Sequence, residues 1–159
     1  MDTLAGILNV TLQDFPGRVA ALVYLGGCNL RCPYCQNASL VEGPWDTVSV
    51  EELWTLLDRR RGQLDGVAFT GGEPLLFAHL EDLLRGVRER EMEIKIDTNG
   101  LLPDRLADLL ERKLADYVAM DMKLPAEKYD KFGGGPGAGE RVLRSLNIIR
   151  QSGVPYELR

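Results

Sequence analysis

The sequence predicts an α/β fold built on a parallel sheet. Three observations predict it. Short apolar runs alternate with amphipathic helical segments from residue 18 onward. The first run, "RVAALVYL" (18–25), is apolar without alternation, as suits a strand buried on both faces. Polar clusters, three of them carrying glycine, recur just past the carboxyl end of each run, where parallel α/β folds place their ligands.

The elements follow in order. Residues 5–12 predict an extra N-terminal strand or hairpin, closed by a turn at "DFPG". Strand 18–25 runs into the cysteines and a loop that continues through Trp45. Ser49, with Glu52 three residues on, is a capping box that starts the helix "VEELWTLLDRRR", whose apolar stripe is Leu53, Leu56 and Leu57. "GVAFT" (66–70) is the second strand and "LLFAHLEDLLRGVRER" (75–90) the second helix. "EIKIDT" (93–98) is the third strand, and "PDRLADLLERK" (103–113) a helix with Pro103 at its start. "YVAMDMK" (117–123) is the fourth strand, and "GERVLRSLNIIRQSG" (139–153) a helix closed by Gly153. "GGGPGAG" (133–139) reads as a flexible loop, too short to link domains. "VPYELR" opens a fifth strand with nothing after it, which leaves a parallel sheet on an unpaired edge. The expectation is a chain truncated after the start of that strand.

Length and composition bound the function. The 159 residues form one domain, 1–159, with enough chain for a real core. Hydrophobic content of 45% and charged content of 27% are those of a globular protein. Acids outnumber bases 24 to 19, and the net charge of −5 argues against nucleic-acid partners. No apolar run approaches the roughly 18–20 residues that span a bilayer. Asp2 stands where a signal peptide needs a basic region, so the reading is cytoplasmic, with no membrane partner. In a reducing compartment a tight cysteine cluster is a metal or redox site rather than a disulfide scaffold.

All three cysteines, Cys28, Cys32 and Cys35, lie within "GGCNLRCPYCQN". Thiolates ligate iron–sulfur clusters, usually four at a time, so three on a four-iron cluster leave one iron open. An open coordination position marks a reactive metal site rather than a structural one. The alternatives are a structural zinc site or incidental thiols. Three-cysteine zinc sites normally need a histidine, and the single one, His79, lies on the second predicted helix. The later strands end in "TGGEP" (70–74), "DTNG" (97–100) and "DMK" (121–123). Gly71 and Gly72 let backbone approach a ligand, although Gly-Gly and Pro also punctuate ordinary turns. "DTNG" is likewise a good turn, and Asp121 with Lys123 a plausible solvated pair. Trp45 and Trp54 read as core or partner surface.

Cys-x3-Cys-x2-Cys, with Tyr34 before the last cysteine and the later motifs in order, resembles the signature of radical S-adenosylmethionine (radical SAM) enzymes. The opening "LQDFPGRVAALVYLGGCNLRCPYCQN" is most similar to activating proteins for anaerobic ribonucleoside-triphosphate reductase, with pyruvate formate-lyase activating enzymes close by. The resemblance implies a partial, open β/α barrel. It implies a [4Fe-4S] cluster on Cys28, Cys32 and Cys35, with S-adenosylmethionine on the open iron. Reductive cleavage would yield a 5′-deoxyadenosyl radical that makes a glycyl radical on a partner enzyme. Gly71, Gly72, Glu73 and Pro74 would line the methionine amino group. Asp97, Thr98 and Asp121 would form a site for a monovalent cation near the cofactor carboxylate, which Lys123 would contact. Tyr34 would stack on the adenine or cap the cluster, and Asn29 and Arg31 would bond cluster sulfides or shape the loop. The partner implied is a glycyl radical enzyme, and electrons would come from an external flavodoxin or ferredoxin, since no cysteine remains for a second cluster. Two rival readings stand beside this one: a radical enzyme acting on a small molecule, such as a deazapurine-forming synthase, and a non-catalytic iron–sulfur or zinc module.

Overall fold

A computed structural model describes residues 3–159, apart from the side chains of Lys131 and Phe132. Its centre is a six-stranded sheet. In chain order its strands are β2 (Gly6–Thr11), β3 (Ala20–Leu25), β5 (Gly66–Gly71), β6 (Glu93–Thr98), β7 (Tyr117–Met120) and β8 (Tyr156–Leu158), and they lie side by side in that same order. β2 pairs antiparallel with β3, as the predicted hairpin requires, and every later neighbour is parallel. Sequential parallel neighbours joined by helices are the topology of an open barrel wall.

Four helices cover one face: α2 (Val50–Arg59), α3 (Leu80–Arg88), α4 (Pro103–Glu111) and α5 (Ala138–Ser152). They share one core with the side chains on that face of the strands, among them Val23, Leu25, Phe69, Ile94, Ile96 and Met120. The opposite face carries Leu22, Ala68, Lys95, Asp97 and Ala119, which the strand register places side by side. Ala68 and Ala119 leave space there, and this concave face holds the candidate site.

The capping box at Ser49 forms in full, Pro103 opens α4, and Gly153 ends α5 in the left-handed conformation. The helix predicted over 75–90 differs. Pro74–Leu76 is a 3-10 turn and α3 begins only at Leu80. Glu73 caps that turn by accepting from the Leu75 N–H, and the Phe77 carbonyl accepts from both Arg105 (3.1 Å) and the Leu80 N–H (3.3 Å). The fourth strand stops at Met120, so Asp121 and Lys123 sit on the loop beyond it. Four short elements were not anticipated. β1 (Thr3–Leu4) pairs with β4 (Val48–Ser49), α1 (Ser39–Glu42) follows the cysteines, and Ala126–Phe132 forms a 3-10 segment. The glycine-rich loop is tied down: Asp130 accepts from the Gly137 and Ala138 N–H groups, and Arg141 donates to the Gly134 and Pro136 carbonyls. No helix among the described residues is long and apolar enough to cross a membrane.

Candidate functional site

β3 delivers the chain to Gly26, and an indole ring meets it there. A Cβ at Gly26 would stand 2.0 Å from the Trp45 ring, so only glycine fits under that lid. Trp45 thus clamps backbone two residues before Cys28, a role its place in a polar loop did not signal. Arg31 shapes the loop rather than bonding sulfur. Its Nη1 donates to the carbonyls of Cys28 (2.7 Å) and Leu30 (3.0 Å), and its Nε pairs with Glu42 on α1 at 2.7 Å. The Cys35 N–H donates to the Cys32 carbonyl at 3.1 Å, and the Leu30 N–H donates to Cys28 Sγ at 3.4 Å. All three cysteines are free and half-buried. Burial pushes the thiols of Cys28 and Cys32 up, and at Cys32 the charge of Lys123 opposes it.

The concave face encloses a cavity of about 490 Å³. It brings the three cysteines together with Gly71, Gly72, Asp97, Thr98, Asp121 and Lys123. Tyr34 is 56% exposed and stands at its rim. Glu73 and Pro74 lie behind the wall instead of lining it. The close approach that demands glycine at Gly72 is to the neighbouring strand end. A Cβ there would lie 2.0 Å from the Gly27 carbonyl, and the Gly72 and Glu73 N–H groups each donate 2.8 Å to the carbonyls of Leu25 and Gly27. The motif therefore welds the β5 exit to the cysteine loop. From behind, the buried Glu73 carboxylate accepts from Thr98 Oγ1 (2.8 Å), the Asn99 N–H (2.7 Å) and the Leu75 N–H (3.1 Å). Burial drives its pKa up to about 7 although all three bonds favour the charged form.

The other side of the cavity is ionic. Lys95, 1% exposed, contacts Asp97 Oδ1 and lies 3.9 Å from Glu157. Arg159 bridges both motif aspartates, 3.1 Å from Asp97 Oδ2 and 3.3 Å from Asp121 Oδ1. Lys123 Nζ donates to Asp121 Oδ2 at 2.7 Å. Burial works against the Lys123 charge, but its bond to Asp121 and the negative groups around it hold its pKa above the ordinary value. Buried Tyr129 fixes this loop, its hydroxyl accepting from the Lys123 N–H at 2.8 Å. The counter-charge for Asp97 and Asp121 thus comes from Lys95, Lys123 and Arg159. Lys95 was missed in the sequence, although a lysine alternating with isoleucines two residues before Asp97 is a readable sign of a shared strand face.

The family model described as the Radical SAM superfamily matches residues 22–158. The chain belongs to the radical SAM superfamily. It is 32% identical over 161 residues to a Methanocaldococcus jannaschii protein named provisionally as a glycyl-radical enzyme activating enzyme, covering 98% of this chain and 66% of that one. It is 35% identical over 161 residues to the 7-carboxy-7-deazaguanine synthase of Methanopyrus kandleri, covering 85% of this chain and 60% of that one. Among solved structures it matches anSMEcpe with bound AdoMet at a TM-score of 0.62 and 26% identity, over 84% of this chain and 40% of that chain. The chain therefore spans less than two thirds of each of these proteins.

Radical SAM proteins use a [4Fe-4S] cluster and S-adenosylmethionine, and the donor set here suits them. Three thiols border one cavity, and N–H groups of Leu30 and Asn99 face the Cys28 sulfur. Among the described residues no three His, Cys, Asp or Glu side chains converge as a single metal ion requires. Three cysteine thiols on one cavity are the ligand type that iron–sulfur clusters take.

Proposed function

We propose that this chain carries the catalytic site of an activating enzyme that generates a glycyl radical on a partner protein, with anaerobic ribonucleoside-triphosphate reductase the favoured partner. One observation carries the reading: three thiols and the Asp97–Asp121–Lys123 group share a single cavity. When bound, the cofactors supply reductive cleavage of a sulfonium and a carbon radical able to take a hydrogen atom. The protein's part is to bind, orient and exclude water. Cys28, Cys32 and Cys35 hold the cluster. The backbone oxygens of Gly71 and Gly72 would face the methionine amino group, with Glu73 and Pro74 bracing that stretch from behind the cavity wall. Asp97, Thr98 and Asp121 would hold a monovalent cation beside the cofactor carboxylate, and Lys123, seated 2.7 Å from Asp121 and kept charged there, would contact that carboxylate. Tyr34 at the rim would stack on the adenine or cap the cluster against water. Electrons come from an external flavodoxin or ferredoxin.

The test is anaerobic reconstitution with reductant, S-adenosylmethionine and the candidate reductase, read by electron paramagnetic resonance. A glycyl doublet on the partner is expected. Deoxyadenosine released without any protein radical overturns the activating role and supports the second reading, a small-molecule substrate, which the similarity to a deazaguanine synthase favours. Replacing Cys32 with Ala is expected to abolish cleavage through loss of the cluster, and retained cleavage would refute the ligand assignment.

A further inference from the structure

Asn99 has no part in the motif roles above, yet its amide ties two walls of the cavity together. It is 5% exposed. Its backbone N–H donates to Glu73 Oε2 at 2.7 Å, and its Oδ1 accepts from the Leu101 N–H at 3.0 Å. The Leu101 N–H can only donate, so the amide oxygen must face it and the NH2 group must point the other way. That NH2 donates to Asn29 Oδ1 at 2.7 Å and lies 3.9 Å from Cys28 Sγ. Glu73 in turn donates its N–H to the Gly27 carbonyl, 2.8 Å away. A closed circuit results: Gly27 to Glu73, Glu73 to Asn99, Asn99 back to Asn29 and Cys28. Only a primary amide offers an acceptor to Leu101 and donors to Asn29 and sulfur at once. Aspartate has no donor, and alanine has neither.

We propose that Asn99 is a positioning residue that locks the Cys28 end of the cysteine loop and supplies a hydrogen bond to that one sulfur. The proposal rests on the reading of Cys28 as a cluster ligand, and it sets Cys28 apart from Cys32 and Cys35. Hydrogen bonds to ligand sulfurs raise the reduction potential and slow ligand loss, as outer partners do at metal sites generally.

The experiment has two arms, on wild type, Asn99→Ala, Asn29→Ala and the double variant. The first uses the cluster-free chain and follows iodoacetamide alkylation of each cysteine by mass spectrometry. A several-fold faster reaction at Cys28 alone is expected in both single variants, with the double variant no faster than either. Unchanged Cys28 reactivity, or an equal rise at all three cysteines, overturns the proposal. Asn29→Ala removes only the acceptor in the loop, so the arm still decides if Asn99→Ala fails to fold. The second arm uses reconstituted protein. Chelator-driven loss of cluster absorbance is expected to quicken on the order of tenfold, with a shift to more negative midpoint potential. A wild type that assembles no cluster overturns the ligand reading of Cys28, whereas the alkylation arm reads the Asn99 lock by itself. A cluster on wild type that is unchanged in both variants overturns the lock alone.

Discussion

At Glu73, burial and hydrogen bonding act on one carboxyl group in opposite directions, and burial wins, with a pKa of about 7 against an ordinary 4.5. Between those values the folded chain keeps a proton that the unfolded chain has released. Stability contributed here is therefore full below pH ~4.5 and is lost as pH rises to about 7, by about 3 kcal/mol in all. Glu73→Gln should flatten that stretch of the stability–pH curve. The amide mimics the protonated acid, so the variant should differ least from wild type near pH ~5 and gain on it as pH rises toward 7. Urea unfolding across the range measures both, and identical slopes for variant and wild type would refute the assignment. Lys95 allows a second measurement. Asp97→Ala would leave its buried ammonium with only Glu157, 3.9 Å away, and is expected to cost about 3 kcal/mol or more. Adding Lys95→Met should recover part of that loss, and a strictly additive double variant would show that the pair is not coupled. Asn99 makes the strand-end turn that "DTNG" suggests, its Oδ1 accepting from the Leu101 N–H, but its reach to the cysteine loop was not read in the sequence. Arg159 was assigned no role there, because its partners lie on strands distant in sequence.

Among the elements, the strands were the most legible, because apolar runs buried on a helix-covered face leave little other reading. Helix bounds failed where a side chain overrode the pattern, as Glu73 does by capping Pro74–Leu76. The short elements β1, β4 and α1 have no periodicity to detect, being two to four residues long. α2 and α3 illustrate a contact that propensity alone misjudges. Gly86 lies mid-helix in α3, where alanine normally adds about 1 kcal/mol. A Cβ there would come within 2.5 Å of the Trp54 ring, over which the Arg90 guanidinium stacks at 4.5 Å. Gly86→Ala is thus expected to destabilise by about 1–3 kcal/mol, seen as a lowered Tm. A raised Tm would mean that the α2–α3 packing yields easily.

Across the whole molecule the parallel sheet followed from the βα alternation and its open-barrel form from the family resemblance, and the cavity's position followed from the motifs at strand ends. Its ionic half did not, since Lys95, Glu157 and Arg159 meet only once the sheet is assembled. That assembly is uneven. β5 and β6 have neighbours on both sides, while β2 and the three-residue β8 have one each. Amides of β5 and β6 should exchange with deuterium only through global unfolding, and those of β8 through a lower-energy opening. Because Arg159 anchors β8 through ion pairs, added salt should speed β8 exchange selectively. Uniform protection across the sheet would contradict this. The lid on Gly26 has a separate use. The chain has two tryptophans, and Trp45 is the one packed beside the cysteine loop. In a Trp54→Phe background its fluorescence becomes an optical reporter, placed by the fold itself, of whether that loop is ordered or has captured a quenching group.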